Sequence, residues 1–432
     1  MVQMQTAERL ARRTPFFYGW VVLFSAGSSM FVRNAAASLT LAVFVYPLSQ
    51  ELGWSRTLIA GAASAGGLVA SATSPGIGWL IDRYGAKIVL ATSVFVLGLA
   101  TISLAWAVAP LTFYLAYGAG RMIFSSPLQI GASVVVSRWF IRMRGRAVGL
   151  LSLTHSAGMV LFPLIASVTI AYRDYQSAWI VLGVMAWVIA LPPVILFIAE
   201  TPEDVGLAPD GDSAPVDSDA ADSGQPSAQD PVWTAGQAMR TKTLWLLAVG
   251  VGLLFVIHSG TNIHLVAYFR DQGLGETIAA SAISVMAVSM AASSVPWGWI
   301  VERLPIRMSF MLTAAAMAAA SVLFISADST EEAYAYSAVF GFALAGLLTV
   351  PPVAYANYFG RLSLGTIRGV TEPFMSLGQA IGAVVSGAIY DVTDSYTIAF
   401  LTFATLGVAT MAGIAFASKP SPPSAPADLG EN

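Results

Sequence analysis

The sequence predicts an all-α integral membrane protein: twelve transmembrane helices in two pseudo-symmetric six-helix bundles. Three observations predict it. Hydrophobic residue types make up 56% of the 432 residues and charged types 10%, against roughly 25% charged in soluble domains. That much apolar surface exceeds what a soluble core of this length can bury, so most of it has to face lipid. The apolar residues fall into twelve stretches of about 20, the length that crosses hydrocarbon as a helix. They lack the alternation of a membrane barrel, and an open sheet would leave edge groups unpaired in lipid. Finally, a short charged turn, Gly78-Trp-Leu-Ile-Asp82-Arg83-Tyr-Gly85-Ala-Lys87, recurs 220 positions later as Gly298-Trp-Ile-Val-Glu302-Arg303-Leu-Pro305-Ile-Arg307. The chain therefore reads as a duplicated object.

Taken in order, residues 1–16 form a polar N-terminus with Arg9, Arg12 and Arg13. The first apolar segment is too long, and continues too far into membrane-like sequence, for a cleaved signal. Segment 1 covers 17–45, segment 2 58–81, and the first charged turn follows it. Segment 3 covers 87–107 and segment 4 111–136, with Ala109-Pro110 between them. A basic loop with Arg138, Arg142, Arg144 and Arg146 leads into segment 5, which ends near 171; segment 6 covers 178–198. These six make an N-terminal bundle, 17–198. Residues 199–242 are rich in Pro, Ser, Ala and Asp, a composition that buries too little to fold alone. They predict a disordered acidic linker, with a short helix near 233–240. Six further segments, near 243–268, 277–300, 308–327, 334–358, 368–390 and 396–417, make the C-terminal bundle, 243–417. The tail, 418–432, is again Pro- and Ser-rich.

Lys and Arg concentrate on the cytoplasmic side of membrane proteins. Of the 21 basic residues, only Arg56, Arg173 and Arg270 fall in loops on one side; Arg33 and Arg121 lie inside helices, and the rest share the other side. The bias predicts that both termini, the linker and both copies of the turn are cytoplasmic, in a multi-pass protein of the cell inner membrane. The absence of cysteine excludes disulfides and thiolate metal sites.

Six helices, a polar linker and six more, with the same turn after the second helix of each half, resemble the major facilitator superfamily over nearly the whole chain. Gly78, Asp82, Arg83, Gly85 and Lys87 match its loop 2–3 signature. The resemblance implies a latch joining the two halves on the cytoplasmic side. Physics agrees: Gly78 allows close helix packing, Gly85 a tight turn, and Asp82 can accept bonds from Arg or from a helix N-terminus. Glu302, Arg303 and Arg307 carry the second copy, with Pro305 in place of the turn glycine. Arg144 in the basic loop and Glu372, read as one turn into segment 11, join the same gating set. A narrower resemblance, to monocarboxylate/oxalate-type carriers, rests on Tyr18-Gly19-Trp20, Gly118-Ala-Gly120 with Pro127, Trp139-Phe140 with Arg144-Gly145-Arg146-Ala147 and Gly149, and Thr201-Pro-Glu-Asp-Val-Gly206-Leu-Ala-Pro-Asp210-Gly. It implies a basic residue in segment 8, which this chain lacks.

A charge at the centre of a membrane helix costs roughly 2.5–3.5 kcal/mol on insertion scales, so it needs a partner, a wet cavity or a function. Arg121, in the middle of segment 4, is the first candidate for substrate contact. Arg33 with Asn34, deep in segment 1, is the second. His155 in segment 5 and His258 in segment 7 titrate near neutrality when unperturbed and are candidates for substrate contact and proton coupling. Ser126, Asn262 and Gln379 are further hydrogen-bonding candidates. Glu372 is the one acid read near the membrane, and is expected to be poorly placed to pair with either arginine. No catalytic residues, metal ligands or cofactors are expected: no nucleophile triad or metal-ligand spacing is present, and the glycines of 61–67 lack the Gly-Lys-Ser/Thr ending of a phosphate loop. The expected function is secondary transport of a small organic anion, a mono- or dicarboxylate, by alternating access, with protons or exchanged anion as partner. The expected protein is a monomer in lipid and does not bind nucleic acid. The alternative is an exporter of drug-like or amphipathic compounds.

Overall fold

The computed structural model describes residues 11, 14–211 and 231–421. Arg9, Arg12 and Arg13, the middle of the linker and the end of the tail lie outside the described residues. Among the described residues every regular element is helical. Eleven helical stretches are long and apolar enough to cross a membrane: span 1 (Gly19–Leu52), span 2 (Arg56–Tyr84), span 3 (Ala86–Trp106), span 5 (Arg144–Tyr172), span 6 (Tyr175–Phe197), span 7 (Lys242–Asp271), span 8 (Glu276–Arg303), span 9 (Ile306–Phe324), span 10 (Thr330–Phe359), span 11 (Leu364–Thr393) and span 12 (Thr397–Ala415). Span 4 is the twelfth, made of two shorter helices, Pro110–Ser125 and Pro127–Trp139.

Spans 1 and 4 differ from the sequence expectation of continuous helices. Pro127 has no N–H to give to the preceding turn and is at home at a helix start. The chain breaks just before it, at Ser126 (φ −127°, ψ −78°). In span 1 the α-helix ends at Val32, Arg33–Ala36 form a 3₁₀ turn, and Ala37 is extended (ψ 148°) before a second helix starts at Ser38. The break in span 1 is tied to span 4, where the Tyr117 hydroxyl donates to Ala36 O at 3.1 Å, and is closed locally by the Thr40 hydroxyl, which donates to Asn34 O at 2.6 Å. Their counterparts in the other half, spans 7 and 10, each run 30 residues without a break.

Side chains close the exposed helix starts where the sequence supplies them. Ser329 and Glu332 form a reciprocal capping box on span 10. Asp174 caps span 6, and the bond it accepts from the Ser177 N–H holds its carboxyl below the usual range. In the N-terminal half, span 1 packs on spans 5 and 6 and span 2 on span 4; in the other half, span 7 packs on span 11 and span 8 on span 10. The halves meet mainly along span 2 against span 11 and span 5 against span 8.

The expectation of an unfolded linker meets a different structure at both ends. Glu200 accepts the backbone N–H groups of Ala86 (2.9 Å) and Lys87 (2.7 Å) at the start of span 3. Asp210 accepts three successive backbone N–H groups of the loop before span 5: Ile141 (3.1 Å), Arg142 (2.8 Å) and Met143 (3.2 Å). Thr234 and Gln237 cap the short helix Ala235–Met239, within the stretch expected to hold one. Carboxylates that satisfy orphan amides tie the described parts of the segment down, together with a few buried apolar side chains, Val205, Trp233 and Ala238. Replacing Asp210 with Ala is expected to speed amide hydrogen exchange at Ile141, Arg142 and Met143 by roughly tenfold or more, since each bond to a charged acceptor contributes about 1.5–3 kcal/mol. Unchanged exchange there, read by mass spectrometry, would show that the loop does not depend on the linker.

Candidate functional site

Two constellations lie on the interface between the halves. The first is at the end that carries the basic loops. Gly78 of span 2 packs on Gly365 of span 11 so closely that a Cβ on Gly78 would collide with the Gly365 carbonyl. One turn along, the Ser74 hydroxyl donates to Gly369 O at 3.0 Å. Asp82 accepts the N–H of Gly365 (2.9 Å), the N–H of Thr366 (2.6 Å) and the Thr366 hydroxyl (2.8 Å). A carboxylate on the free amides of a helix start is favoured by both hydrogen bonding and the helix dipole.

The second copy of the turn repeats this on the other side of the interface. Gly298 of span 8 packs on Gly145 of span 5, and Gly149 lies against the Ser294 carbonyl. Glu302 accepts the Arg146 N–H and the Arg146 guanidinium, both at 2.8 Å. Thus Gly78, Ser74 and Asp82 correspond to Gly298, Ser294 and Glu302, and each set grips the start of a helix in the opposite half. Sequence reasoning missed the gripped partners, Gly365, Thr366 and Gly369. The signal was there in the matching spacing of Gly145 with Gly149 and of Gly365 with Gly369.

The basic residues of the two turns are placed differently from the expectation. Arg83 is exposed. Arg303 is also exposed and lies over the Trp299 ring, 4.0 Å from its centroid. Arg307 donates to Ala415 O within its own half. Gly85 does make the turn, at φ +92°, while Lys87 gives its backbone N–H to Glu200. The cation beside Asp82 is Arg138, which reaches Asp82 at 3.4 Å and Glu200 at 2.9 Å. Arg144 does bridge the halves: it is buried and donates to Asn357 of span 10 at 2.6 Å.

The second constellation lies at the two helix breaks. Arg33 is 3% exposed. Its guanidinium donates to the Gln129 carbonyl (2.6 Å) and to Phe124 O (3.3 Å), a backbone acceptor at the break in span 4. It also lies against the His155 ring, with nitrogens 3.4 Å apart. Arginine only donates, so a ring nitrogen that it bonds is an unprotonated one. Asn34 binds the same histidine through its side-chain nitrogen at 3.2 Å. Arg121 joins the group through Phe124: the Arg33 and Arg121 guanidinium carbons lie 4.4 and 4.6 Å from the centre of that one ring. Among the described residues neither arginine has a carboxylate within ion-pair distance. Arg121 Nε, Asn34 Oδ1 and the Ser126 hydroxyl are buried without a hydrogen-bond partner.

Two small cavities, each with a volume of about 30 Å³, open beside this group. One has Arg33, Gln129, Ser133, Ser152, His155 and Arg368 in its wall. The other has Gln129, Tyr355, Arg368, Thr371 and Glu372. That size suits water, not a substrate, so the halves are drawn together here. His258, Asn262 and Gln379 line neither cavity; His258 packs against Phe255, with its Nδ1 buried and unpartnered. Glu372 differs most from its expected place. Span 11 starts at Leu364, so Glu372 stands in its third turn, buried on the cavity wall and away from the Asp82 grip. Arg368, the residue at which the sequence starts segment 11, is buried in the walls of both cavities. Among the described residues no cluster of His, Asp or Glu suits a metal ion.

Comparison with known proteins follows the same lines. A family profile described as the Major Facilitator Superfamily matches residues 20–359 and 260–431. The mouse protein "Monocarboxylate transporter 11" is 24% identical over 89% of this chain and 84% of its own length. A fungal "MFS-type transporter" from Gibberella moniliformis is 22% identical over 86% of this chain and 83% of its own. "Monocarboxylate transporter 13" of Bos taurus is 31% identical over 144 residues, and the match spans only a third of that relative's length. Among solved structures, the human organic anion transporter MFSD10 (TETRAN) superposes with a TM-score of 0.71 at 15% identity, covering 93% of this chain and all of that one. FucP in the outward conformation superposes at 0.68 and 14% identity, covering 93% and 100%. At these identities the solved structures speak for the fold alone.

Proposed function

The chain belongs to the major facilitator superfamily, and from that membership we propose that it carries a small organic anion, a mono- or dicarboxylate, across the cytoplasmic membrane by alternating access. Its relatives are transporters of small molecules and not enzymes. One observation carries the anion: the Arg33 and Arg121 guanidinium groups flank Phe124 with no carboxylate in ion-pair reach. A buried cation without an ion-pair partner is unfavourable; Glu372 acts on Arg33 only from beyond ion-pair distance, and a transported carboxylate would supply the missing partner in transit. The relatives named as monocarboxylate transporters support the same class.

In this reading Arg33 binds the carboxylate, Gln129 and His155 hold the Arg33 guanidinium in place, and Arg121, against the same Phe124 ring, is the second cation for the anion. The Asp82 and Glu302 grips hold the basic-loop end shut while the site faces the other side. The positive-inside rule puts that closed end in the cytoplasm. The halves then rock about the central site, as in other repeat-built carriers.

Replacing Arg121 with Gln is the test. Initial uptake of a stabilising carboxylate into proteoliposomes is expected to fall at least about tenfold, since a charge-assisted bond contributes about 1.5–3 kcal/mol. Unchanged uptake would remove Arg121 from the site.

A further inference from the structure

Three guanidinium groups and one carboxylate gather around the seam between the halves. Arg33, Arg368 and Glu372 are buried, and Arg121 shares the Phe124 ring with Arg33. Among the described residues the one carboxylate within electrostatic reach of Arg33 is Glu372, and Arg121 acts on Arg33 with the opposite sign. Glu372 makes one long contact, to Arg368 Nη2 at 3.6 Å. One carboxylate cannot balance three cations, so positive charge is in excess here.

Hydrogen-bond donors are in excess as well. Arg368 Nη1 is buried without a partner. Arg33 places Nε 3.4 Å from one ring nitrogen of His155 and Nη2 3.4 Å from the other. A neutral imidazole has one acceptor nitrogen and one N–H. It can therefore accept only one of these, and the other Arg33 N–H finds no acceptor on the ring. Arg33, His155 and Arg368 stand in the wall of one cavity, beside Gln129 and Ser152. The leftover acceptor, Glu372 Oε1, is not among them: Glu372 lines only the other cavity. The shared cavity has a volume of about 30 Å³, room for one water or one ion of similar size. A water would accept the spare N–H bonds and leave the charge uncompensated. A monatomic anion does both, and an oxyanion such as sulfate is too large.

Resting on the anion reading, we propose that this cavity is a halide site: chloride sits between Arg33 and Arg368 while no carboxylate is bound, and the transported carboxylate displaces it. The halide accepts N–H bonds from Arg368 Nη1 and from Arg33. The incoming carboxylate takes over the Arg33 guanidinium, and the halide leaves toward the open side. Arg33 then has an anionic partner in both conditions, halide at rest and carboxylate in transit. No covalent bond forms or breaks and no proton moves. Chloride is accordingly a competitor of the substrate.

Chlorine NMR on the purified full-length protein tests this. The protein is brought into halide-free sulfate buffer, and acetate, lactate, succinate and benzoate are titrated by calorimetry to find the tightest binder. Sodium chloride is then added. The wild type is expected to broaden the chloride line, and the chosen carboxylate to narrow it again. Conversely, chloride at ten times its own dissociation constant is expected to weaken carboxylate binding about tenfold by mass action. Arg368→Gln is expected to lose the broadening, and Arg368→Lys, which keeps a compact cation with N–H donors, to recover it. Carboxylate binding without any chloride broadening overturns the proposal and leaves the anion reading standing. Broadening that persists in Arg368→Gln, or that a bound carboxylate does not reverse, does the same. Failure of all four carboxylates to bind in halide-free buffer overturns the anion reading, and this proposal with it. Should Arg368→Gln not fold, sodium bromide soaked into wild-type crystals decides: its anomalous signal is expected between Arg33 and Arg368, and its absence there overturns the proposal.

Discussion

Arg33→Gln is expected to cut carboxylate binding and uptake by roughly a hundredfold or more, the range seen when one partner of a buried hydrogen-bonded charge pair is removed. The effect should exceed that of Arg121→Gln, because Arg33 is buried and lies in a cavity wall, while Arg121 is half-buried and lines neither cavity. Arg33 also supports the fold: it binds Phe124 O at the break in span 4 and the Gln129 side chain. Thermal stability of the variant in detergent therefore has to be read beside its transport. Arg33→Lys separates the roles. It keeps the charge but loses the planar fork that reaches Gln129, Phe124 and a carboxylate together. It is expected to fold and to transport poorly. Full transport by Arg33→Gln, with a normal melting temperature, would remove the central residue of the proposed site.

Gly78→Leu is expected to hold the basic-loop end open. A Cβ at position 78 meets the Gly365 backbone, and a Cβ at 365 meets Asp82 and Gly78 O at 2.7 Å. These are mainly backbone contacts, so no side-chain rotamer relieves them. Parting the helices also breaks the three bonds that Asp82 accepts from Gly365 and Thr366. Losing about 3 kcal/mol from such bonds moves a two-state population by roughly a hundredfold. The chain has no cysteine, so a labelled pair can be introduced without background. Tyr84 at the end of span 2 and Leu362 before span 11 are both exposed, at 57% and 59%. Spin labels at Tyr84→Cys and Leu362→Cys are expected to give longer distances in the Gly78→Leu background, with transport strongly reduced. Asp82→Asn should move the same distance in the same direction by less, since the close packing of Gly78 on Gly365 survives. An unmoved distance in Gly78→Leu would show that this contact does not set the closed state.

The grips were half legible in the sequence. Gly78 and Asp82 stood out because their motif occurs twice, and Gly298 and Glu302 came with it. Their partners are marked only by the repeated glycine spacing, Gly145 with Gly149 and Gly365 with Gly369, because the backbone amides that the carboxylates bind have no residue type to announce them. Arg138 was one arginine among several in a basic loop, and only the fold shows that it, and not Arg83, reaches Asp82. Arg33 and Arg121 were legible for a simple reason: a charge in an apolar run is costly and visible. That they share one phenyl ring was not, since it depends on two helix breaks. Pro127 hinted at one break; nothing in the Arg33–Ala37 sequence marks the other.

Arg368 and Glu372 were misplaced by a matter of register. Segment 11 was read from 368, but the structure starts it at Leu364. Four residues are about one helical turn, some 6 Å of depth, enough to carry Arg368 from the helix start, and Glu372 from the first turn, into the buried interior. The linker misled through composition. A Pro- and Asp-rich stretch looks unable to fold, yet Glu200 and Asp210 fasten its start by binding amides, and Val205 and Trp233 are buried.

The most direct test of the anion site is a thermal-shift comparison on purified protein. Carboxylates, amines and neutral amphipathic compounds are screened against the wild type and the Arg33→Gln/Arg121→Gln double variant. Carboxylates alone are expected to raise the melting temperature of the wild type, and the double variant is expected to lose this response. Stabilisation by amines or neutral compounds in place of carboxylates, or an equal carboxylate response in the double variant, would contradict the anion site.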